Sequence, residues 1–206
     1  MIQQQLRAGT VLDPGVLDAL ATVPREQFVP PAYRGVAFAD ESIPLPCGQC
    51  MMTPVQEGLL LQALNIRPTD RILEIGTGSG YLTACLARLG AQVTSIELFP
   101  ELADTARDRL RSHGIENCEV VPGDIFEIGA QRADVIAVTG SLPVAVSRFA
   151  DWLNPGGRLF QVVGRTLPMH AWRIERAAGN DFHRRRLFET AIPALLHAPE
   201  AAPFVF

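Results

Sequence analysis

Glu74-Ile75-Gly76-Thr77-Gly78-Ser79-Gly80 is the stretch that decides how this chain folds. It stands between Arg71–Ile75, a short apolar run that predicts a strand, and Tyr81–Leu89, which predicts a helix stopped by Gly90. Glycines directly after a strand let the backbone approach a ligand closely at the strand's carboxyl end. The spacing is G-x-G-x-G. In the G-x-G-x-x-G of dinucleotide enzymes the third glycine would fall on Tyr81, where it permits close helix–strand packing. A tyrosine there argues against a pyrophosphate-binding site.

Working outward, the chain from Arg71 onward alternates strand and helix patterns. Strands are predicted at 92–96, 118–121, 135–138 and 158–163, and helices at 101–113 and 144–153. This alternation predicts a doubly wound α/β fold, a mostly parallel sheet with helices on both faces. Two further β-like runs, 171–176 and 184–192, flank Gly179-Asn180-Asp181 and predict a hairpin or reversed strand at the sheet edge. The first 65 residues differ in texture. Short helices are predicted at 2–8 and 14–22, followed by Pro24, Pro30, Pro31, Pro44, Pro46 and Pro54, too many prolines for continuous helix or central strand. A long proline-rich loop in a compact protein is usually functional, often a substrate-facing cover. A helix at 55–64 and the turn Arg67-Pro68-Thr69-Asp70 lead into the alternating core. Residues 1–206 are therefore read as one domain: 1–65 a helical and proline-rich cover, 66–206 an α/β core that holds the ligand.

Composition narrows the chemistry. At 206 residues the chain can bury a substantial single core. A net charge of −4 gives no electrostatic reason to expect nucleic acid or an anionic membrane as partner. The basic residues are all arginines, so lysine Schiff-base chemistry is excluded. No apolar run is long enough to span a membrane and Met1–Arg7 does not read as a signal peptide, so a cytoplasmic location with reduced cysteines is expected. Cys47-Gly48-Gln49-Cys50 forms a C-x-x-C, but it follows the loop signal Pro44-Leu45-Pro46 where a redox pair would need a strand. The four histidines have no ligand spacing, so no metal is expected.

Two further strand ends carry acids. Glu97 closes the second strand, where a carboxylate accepts hydrogen bonds from both ribose hydroxyls; taken alone it could equally be a surface acid before Phe99-Pro100. Gly123-Asp124-Ile125 follows the third strand, where a short acid can accept from an adenine amino group; alone, Asp124 could be a turn aspartate. Glu74 places negative charge beside the glycine loop, which suits a ligand with an ammonium and a sulfonium better than one with a pyrophosphate. Thr139-Gly140-Ser141 after the fourth strand is either a simple turn or part of the ligand pocket. The sequence E-x-G-x-G-x-G, then an acid ending strand two, then G-D after strand three, resembles the class I S-adenosylmethionine-dependent methyltransferases. That resemblance implies a seven-stranded Rossmann-like sheet with an antiparallel edge strand. It also implies S-adenosylmethionine as cofactor, S-adenosylhomocysteine as product, and cofactor contacts from Glu74, Gly76, Thr77, Gly78, Ser79, Gly80, Glu97, Leu98, Gly123, Asp124, Ile125 and Thr139.

The N-terminal third is more specific. Val23-Pro24-Arg25-Glu26-Gln27-Phe28-Val29-Pro30, then Ala37-Phe38-Ala39-Asp40 with Ile43-Pro44-Leu45, resembles the protein-L-isoaspartate O-methyltransferases. So do Leu153-Asn154-Pro155-Gly156-Gly157-Arg158, Arg185-Arg186-Leu187-Phe188 and Ile192-Pro193-Ala194-Leu195. The resemblance implies methylation of isoaspartyl carboxylates on damaged proteins. That family carries a loop G-x-G-Q-T-I-S-x-P whose serine and threonine face the reacting groups. Here it reads Pro46-Cys47-Gly48-Gln49-Cys50-Met51-Met52-Thr53-Pro54. Gln49 is kept, Cys50 replaces the threonine and Met52 the serine, while Thr53 offers a hydroxyl one place later. Gln49, Cys50, Met52 and Thr53 are the expected catalytic loop. Three functions stay open from this altered loop: an isoaspartyl methyltransferase relying on Thr53 and backbone donors, a relative with a different and less polar acceptor, and a non-catalytic cofactor-binding protein.

Overall fold

The fold is described from a computed structural model, for residues 1–179 and 181–200. Asn180, expected in the loop between the last two strands, lies outside the described residues. The chain opens with a π-helical segment, Ile2–Leu6, shorter than the helix expected over 2–8, and continues into α1 (Pro14–Thr22) and the single turn α2 (Arg25–Phe28). Asp13 starts α1 by accepting a hydrogen bond from the Val16 amide, with proline at the first helical position. The proline-rich stretch does avoid long elements. It makes a 3-10 turn, Pro31–Val36, and a miniature hairpin, β1 (Ile43–Pro44) and β2 (Cys50–Met51), in which Ile43 faces Met51 and Pro44 faces Cys50. The hairpin reverses through left-handed backbone at Cys47 (φ 59°) and Gly48 (φ 68°). Then comes α3 (Pro54–Leu64), whose Leu60, Leu61 and Leu64 are fully buried. Each contributes roughly 1.5–3 kcal/mol by leaving water.

The alternating core follows as β3 (Arg71–Ile75), α4 (Tyr81–Leu89), β4 (Gln92–Glu97), α5 (Pro100–Ser112), β5 (Cys118–Pro122), β6 (Ala133–Leu142), α6 (Ser147–Asp151), β7 (Leu153–Val163), β8 (Met169–Arg176) and β9 (Phe182–Thr190). These strands form one seven-stranded sheet in the order β5-β4-β3-β6-β7-β8-β9. The pairs from β5 to β7 are parallel, while β8 runs antiparallel to both β7 and β9. The reversed strand therefore lies one place inside the edge, and β9 is the edge. Strand order switches direction between β3 and β6, and ligands in open α/β sheets sit at the carboxyl ends of the strands at such a switch.

Period-two alternation divides the core by sheet face. Ile72 of β3 packs in the cluster shared with α3 and α4, and Leu73 and Ile75 pack in the cluster with Phe149 and Trp152. Two expectations are corrected. The helix expected over 144–153 is only Ser147–Asp151, because Leu153 pairs with Ala133 and joins β7, and the β-branched Val144 and Val146 favour extended backbone. Thr139-Gly140-Ser141 does not follow the fourth strand but lies inside β6, at a register shift between Ala137 and Ser141. Such bulges re-aim side chains beside functional sites.

Candidate active site

The glycine loop is built from backbone that only glycine adopts readily: Gly76, Gly78 and Gly80 have φ of 97°, 55° and 85°. The loop crosses toward β4, with the Gly76 amide donating to the Ile96 carbonyl at 2.8 Å. A Cβ on Gly76 would collide with the Thr139 hydroxyl, which sits within hydrogen-bond distance of the carbonyls of Ile75 (2.8 Å) and Gly76 (2.7 Å). The bulge in β6 thus supports the glycine loop from the neighbouring strand. Gly80 plays another part. It precedes α4, and a Cβ there would press on Ala106 of α5 at 3.2 Å, so it permits helix packing and does not line the cleft.

At the end of β4 the Glu97 carboxylate is nearly buried. Its Oε2 accepts from the Gly78 amide at 2.8 Å and its Oε1 from the Phe99 amide at 3.0 Å. A carboxylate has about four lone-pair sites, so two remain for a ligand's hydroxyls. Around it opens a cleft, lined among others by Gly76, Thr77, Gly78, Ser79, Glu97 and Leu98. Gly123, Asp124, Ile125 and Thr139 also line it. Asp124 already has partners: Oδ1 accepts from the Phe126 amide at 2.8 Å, and Oδ2 meets His197 Nδ1 at 2.5 Å.

His197 directly follows a wall of the cleft that the sequence does not assign to the site. Pro193, Ala194, Leu195 and Leu196 close one side of the cleft. They are fixed there because the Ser141 amide donates to the Pro193 carbonyl and the Leu195 amide to the Ser141 carbonyl, both at 2.8 Å. In the sequence, Ile192–Leu195 carries only the family resemblance and no site role. Nothing in one sequence says that this segment returns to pair with Ser141 near the end of β6.

Glu74 departs from its expected role. It is fully buried beneath the loop and does not line the cleft. Its Oε2 accepts from Thr83 Oγ1 (2.5 Å) and Ser95 Oγ (2.6 Å), and Ser95 Oγ lies 2.5 Å from Thr77 Oγ1. Burial pushes this carboxyl up to about 8, against the pull of those two hydroxyls. At pH 7 it is mainly neutral, so it supplies support to Thr77 through Ser95, not negative charge to a ligand.

Another wall of the cleft is made by the β1–β2 hairpin and the residue after it. Gln49, Cys50 and Met52 line the cleft with Leu45 and Met51. Thr53 does not. It is the N-cap of α3, where its hydroxyl accepts from the Gln56 amide while the Gln56 side chain accepts from the Thr53 amide, a complete capping box. The hydroxyl expected to replace the lost serine is therefore engaged in starting a helix. Burial also pushes the Cys50 thiol up, partly offset by Ser42, so it is a neutral group at pH 7. Glu57 of α3, unforeseen from sequence, also lines the cleft and is 2% exposed, paired with the buried Arg25. Among the described residues no group of three or more His, Cys, Asp or Glu is arranged to hold a metal ion.

Comparison with known proteins bears on this arrangement. The profile of the protein-L-isoaspartate(D-aspartate) O-methyltransferases matches residues 1–193. The chain belongs to this family. Its relatives include a protein-L-isoaspartate O-methyltransferase of Rhodopseudomonas palustris, 39% identical over 95% of this chain and 91% of that one. Another, from Koribacter versatilis, is 40% identical over 87% and 82%. A solved Plasmodium falciparum structure described as a protein-L-isoaspartate O-methyltransferase, in complex with S-adenosyl-L-homocysteine, superposes with a TM-score of 0.82 at 19% identity, covering 94% of this chain and 96% of that one.

A member of this S-adenosylmethionine-dependent O-methyltransferase family should offer a cofactor cradle, and the residues present fit one. Glu97 keeps free acceptor capacity at the end of β4 beside the Gly76–Ser79 loop, and Leu98 and Ile125 add apolar surface to the same cleft. No helix among the described residues is long and apolar enough to cross a membrane.

Proposed function

We propose that this chain transfers a methyl group from S-adenosylmethionine to the isoaspartyl carboxylate of damaged proteins. The observation that carries the reading is the meeting of two parts in one cleft: the glycine loop with Glu97 at one end, and the family's Gln49-containing hairpin at the other. Gly76, Thr77, Gly78, Ser79, Glu97, Leu98, Asp124 and Ile125 would hold the cofactor, and Gln49, Cys50 and Met52 would face the acceptor. When bound, S-adenosylmethionine supplies an electrophilic methyl group carried on sulfur. An isoaspartyl carboxylate is ionised at pH 7, so no residue has to act as a general base. What the chain must provide is alignment and exclusion of water, and the apolar surfaces of Leu45, Met51, Met52 and Leu195 around the cleft suit the second task.

One observation favours a second reading, a different and less polar acceptor. With Met52 at the serine position and Thr53 committed to its cap, the hairpin presents few hydrogen-bond donors to a carboxylate. Product analysis separates the two. An isoaspartyl peptide incubated with the protein and S-adenosylmethionine should yield a methyl ester that converts spontaneously to the succinimide. S-adenosylhomocysteine formed only with other acceptors would reject the isoaspartyl assignment. Cofactor bound without turnover on any acceptor would leave a non-catalytic binder.

A further inference from the structure

Arg25 lies outside the cleft and is completely buried. All three of its side-chain nitrogens are engaged, each with a different element. Nε donates to the Ala37 carbonyl of the proline-rich cover at 2.8 Å, Nη2 donates to the Met52 carbonyl of the acceptor hairpin at 2.8 Å, and Nη1 pairs with Glu57 on α3. The guanidinium carbon also sits 4.7 Å from the centre of the Tyr81 ring, and Tyr81 opens α4 directly after the glycine loop. One side chain therefore joins the cover, the acceptor hairpin and the start of the cofactor helix.

Stability alone is a poor reason for this arrangement. Taking two charges out of water costs about as much as their attraction returns, and apolar side chains of similar size are often as stable. What a guanidinium adds is a rigid fork of donors in fixed directions. Holding the Met52 carbonyl fixes where that residue's side chain and the adjoining Cys50–Met51 strand stand relative to the glycine loop. Glu57 gives the pairing a second consequence. It lines the cleft, so the ion pair also anchors that wall of the cleft to the proline-rich cover.

We infer that Arg25 is the positioning residue that sets the acceptor hairpin against the cofactor loop. The inference rests on the isoaspartyl reading for its kinetic test. The informative protein is the double variant Arg25→Met/Glu57→Leu, which leaves no buried charge unpaired. It should fold and bind S-adenosylhomocysteine as the parent does, while kcat on an isoaspartyl peptide falls by about tenfold or more, as expected for a misplaced acceptor. Arg25→Lys, able to reach only part of the set, should fall between.

Hydrogen exchange read on the same samples should show faster exchange at residues 49–53 and no change at 76–81. A folded double variant with parental kcat would overturn the inference, and so would equal losses of kcat and cofactor affinity. If the double variant does not fold, Arg25→Lys is held to the same criteria. A parent protein inactive on the peptide would count against the isoaspartyl reading alone, and the exchange pattern would then decide Arg25 by itself.

Discussion

At the scale of single residues, two side chains make the account testable. Met52 lines the cleft where the family has a serine, and a thioether cannot donate a hydrogen bond. If the acceptor is a carboxylate, Met52→Ser restores one donor. Because a positioned donor is worth on the order of ten- to a thousandfold in rate, kcat should rise by about tenfold or more while calorimetry finds unchanged cofactor affinity. No gain in turnover would favour the less polar acceptor. Glu74 makes a prediction about pH. Its folded-state value of about 8 lies above the ordinary carboxyl value of 4.5. The folded chain therefore holds a proton that the unfolded chain has released between those limits. The resulting stabilisation is complete below about pH 4.5 and is lost as pH rises through about 8. Glu74→Gln, which mimics the neutral acid, should flatten the decline of melting temperature across that window. Parallel curves for parent and variant would mean that Glu74 is ionised in the fold.

At the scale of elements, the N-terminus of α3 and the C-terminal tail each hold part of the cleft. Thr53 caps α3 and Gln56 reaches across to Thr190 Oγ1 (2.9 Å) and the Ala191 carbonyl (3.0 Å), tying that helix end to the end of β9. Thr53→Ala should cost about 1 kcal/mol of stability in denaturant titration, as other cap deletions do, and should leave measurable methyl transfer in place. Complete loss of turnover in a folded Thr53→Ala protein would instead restore the hydroxyl to a catalytic role. The tail is fastened by His197 on Asp124. His197→Ala should speed release of S-adenosylhomocysteine in stopped-flow displacement, because residues 193–196 form a wall of its cleft; an unchanged release rate would mean that the hydrogen bonds through Ser141 suffice. These elements also show what a sequence discloses. Strands and helices from Arg71 to Ser112 were legible because apolar period, glycine stops and strand length all agree locally. Thr53 is ambiguous in sequence because a hydroxyl before Pro54 is as much a helix start as a catalytic group, with Gln56 three residues on the sign of a capping box. The helix 144–153 was overdrawn because Leu153 is claimed by a strand partner twenty residues away, Ala133, which no local pattern reports.

At the scale of the whole molecule, a Rossmann-like sheet brings three strand ends to one line, and the N-terminal cover adds the acceptor hairpin across them. The glycine loop, Glu97 and Gly123-Asp124, which the fold brings to one cleft, stand out in the sequence because each is a contiguous motif at a strand end. Glu57, the tail wall and the Arg25 junction do not, since they depend on contacts between residues far apart in the chain. The surroundings of Glu74 are hidden for the same reason: it lies buried beside Thr83 and Ser95, and burial is a property of the assembled fold. The central claim is that this assembled cleft methylates an isoaspartyl carboxylate. The most direct test compares two peptides of identical sequence, one with an isoaspartyl and one with an ordinary aspartyl linkage, by initial rates of labelled methyl transfer from S-adenosylmethionine. The account predicts transfer to the isoaspartyl peptide that greatly exceeds transfer to its aspartyl twin, weak in the parent protein and raised in Met52→Ser. Equal rates on both peptides, or no transfer to either by parent and variant alike, would contradict it.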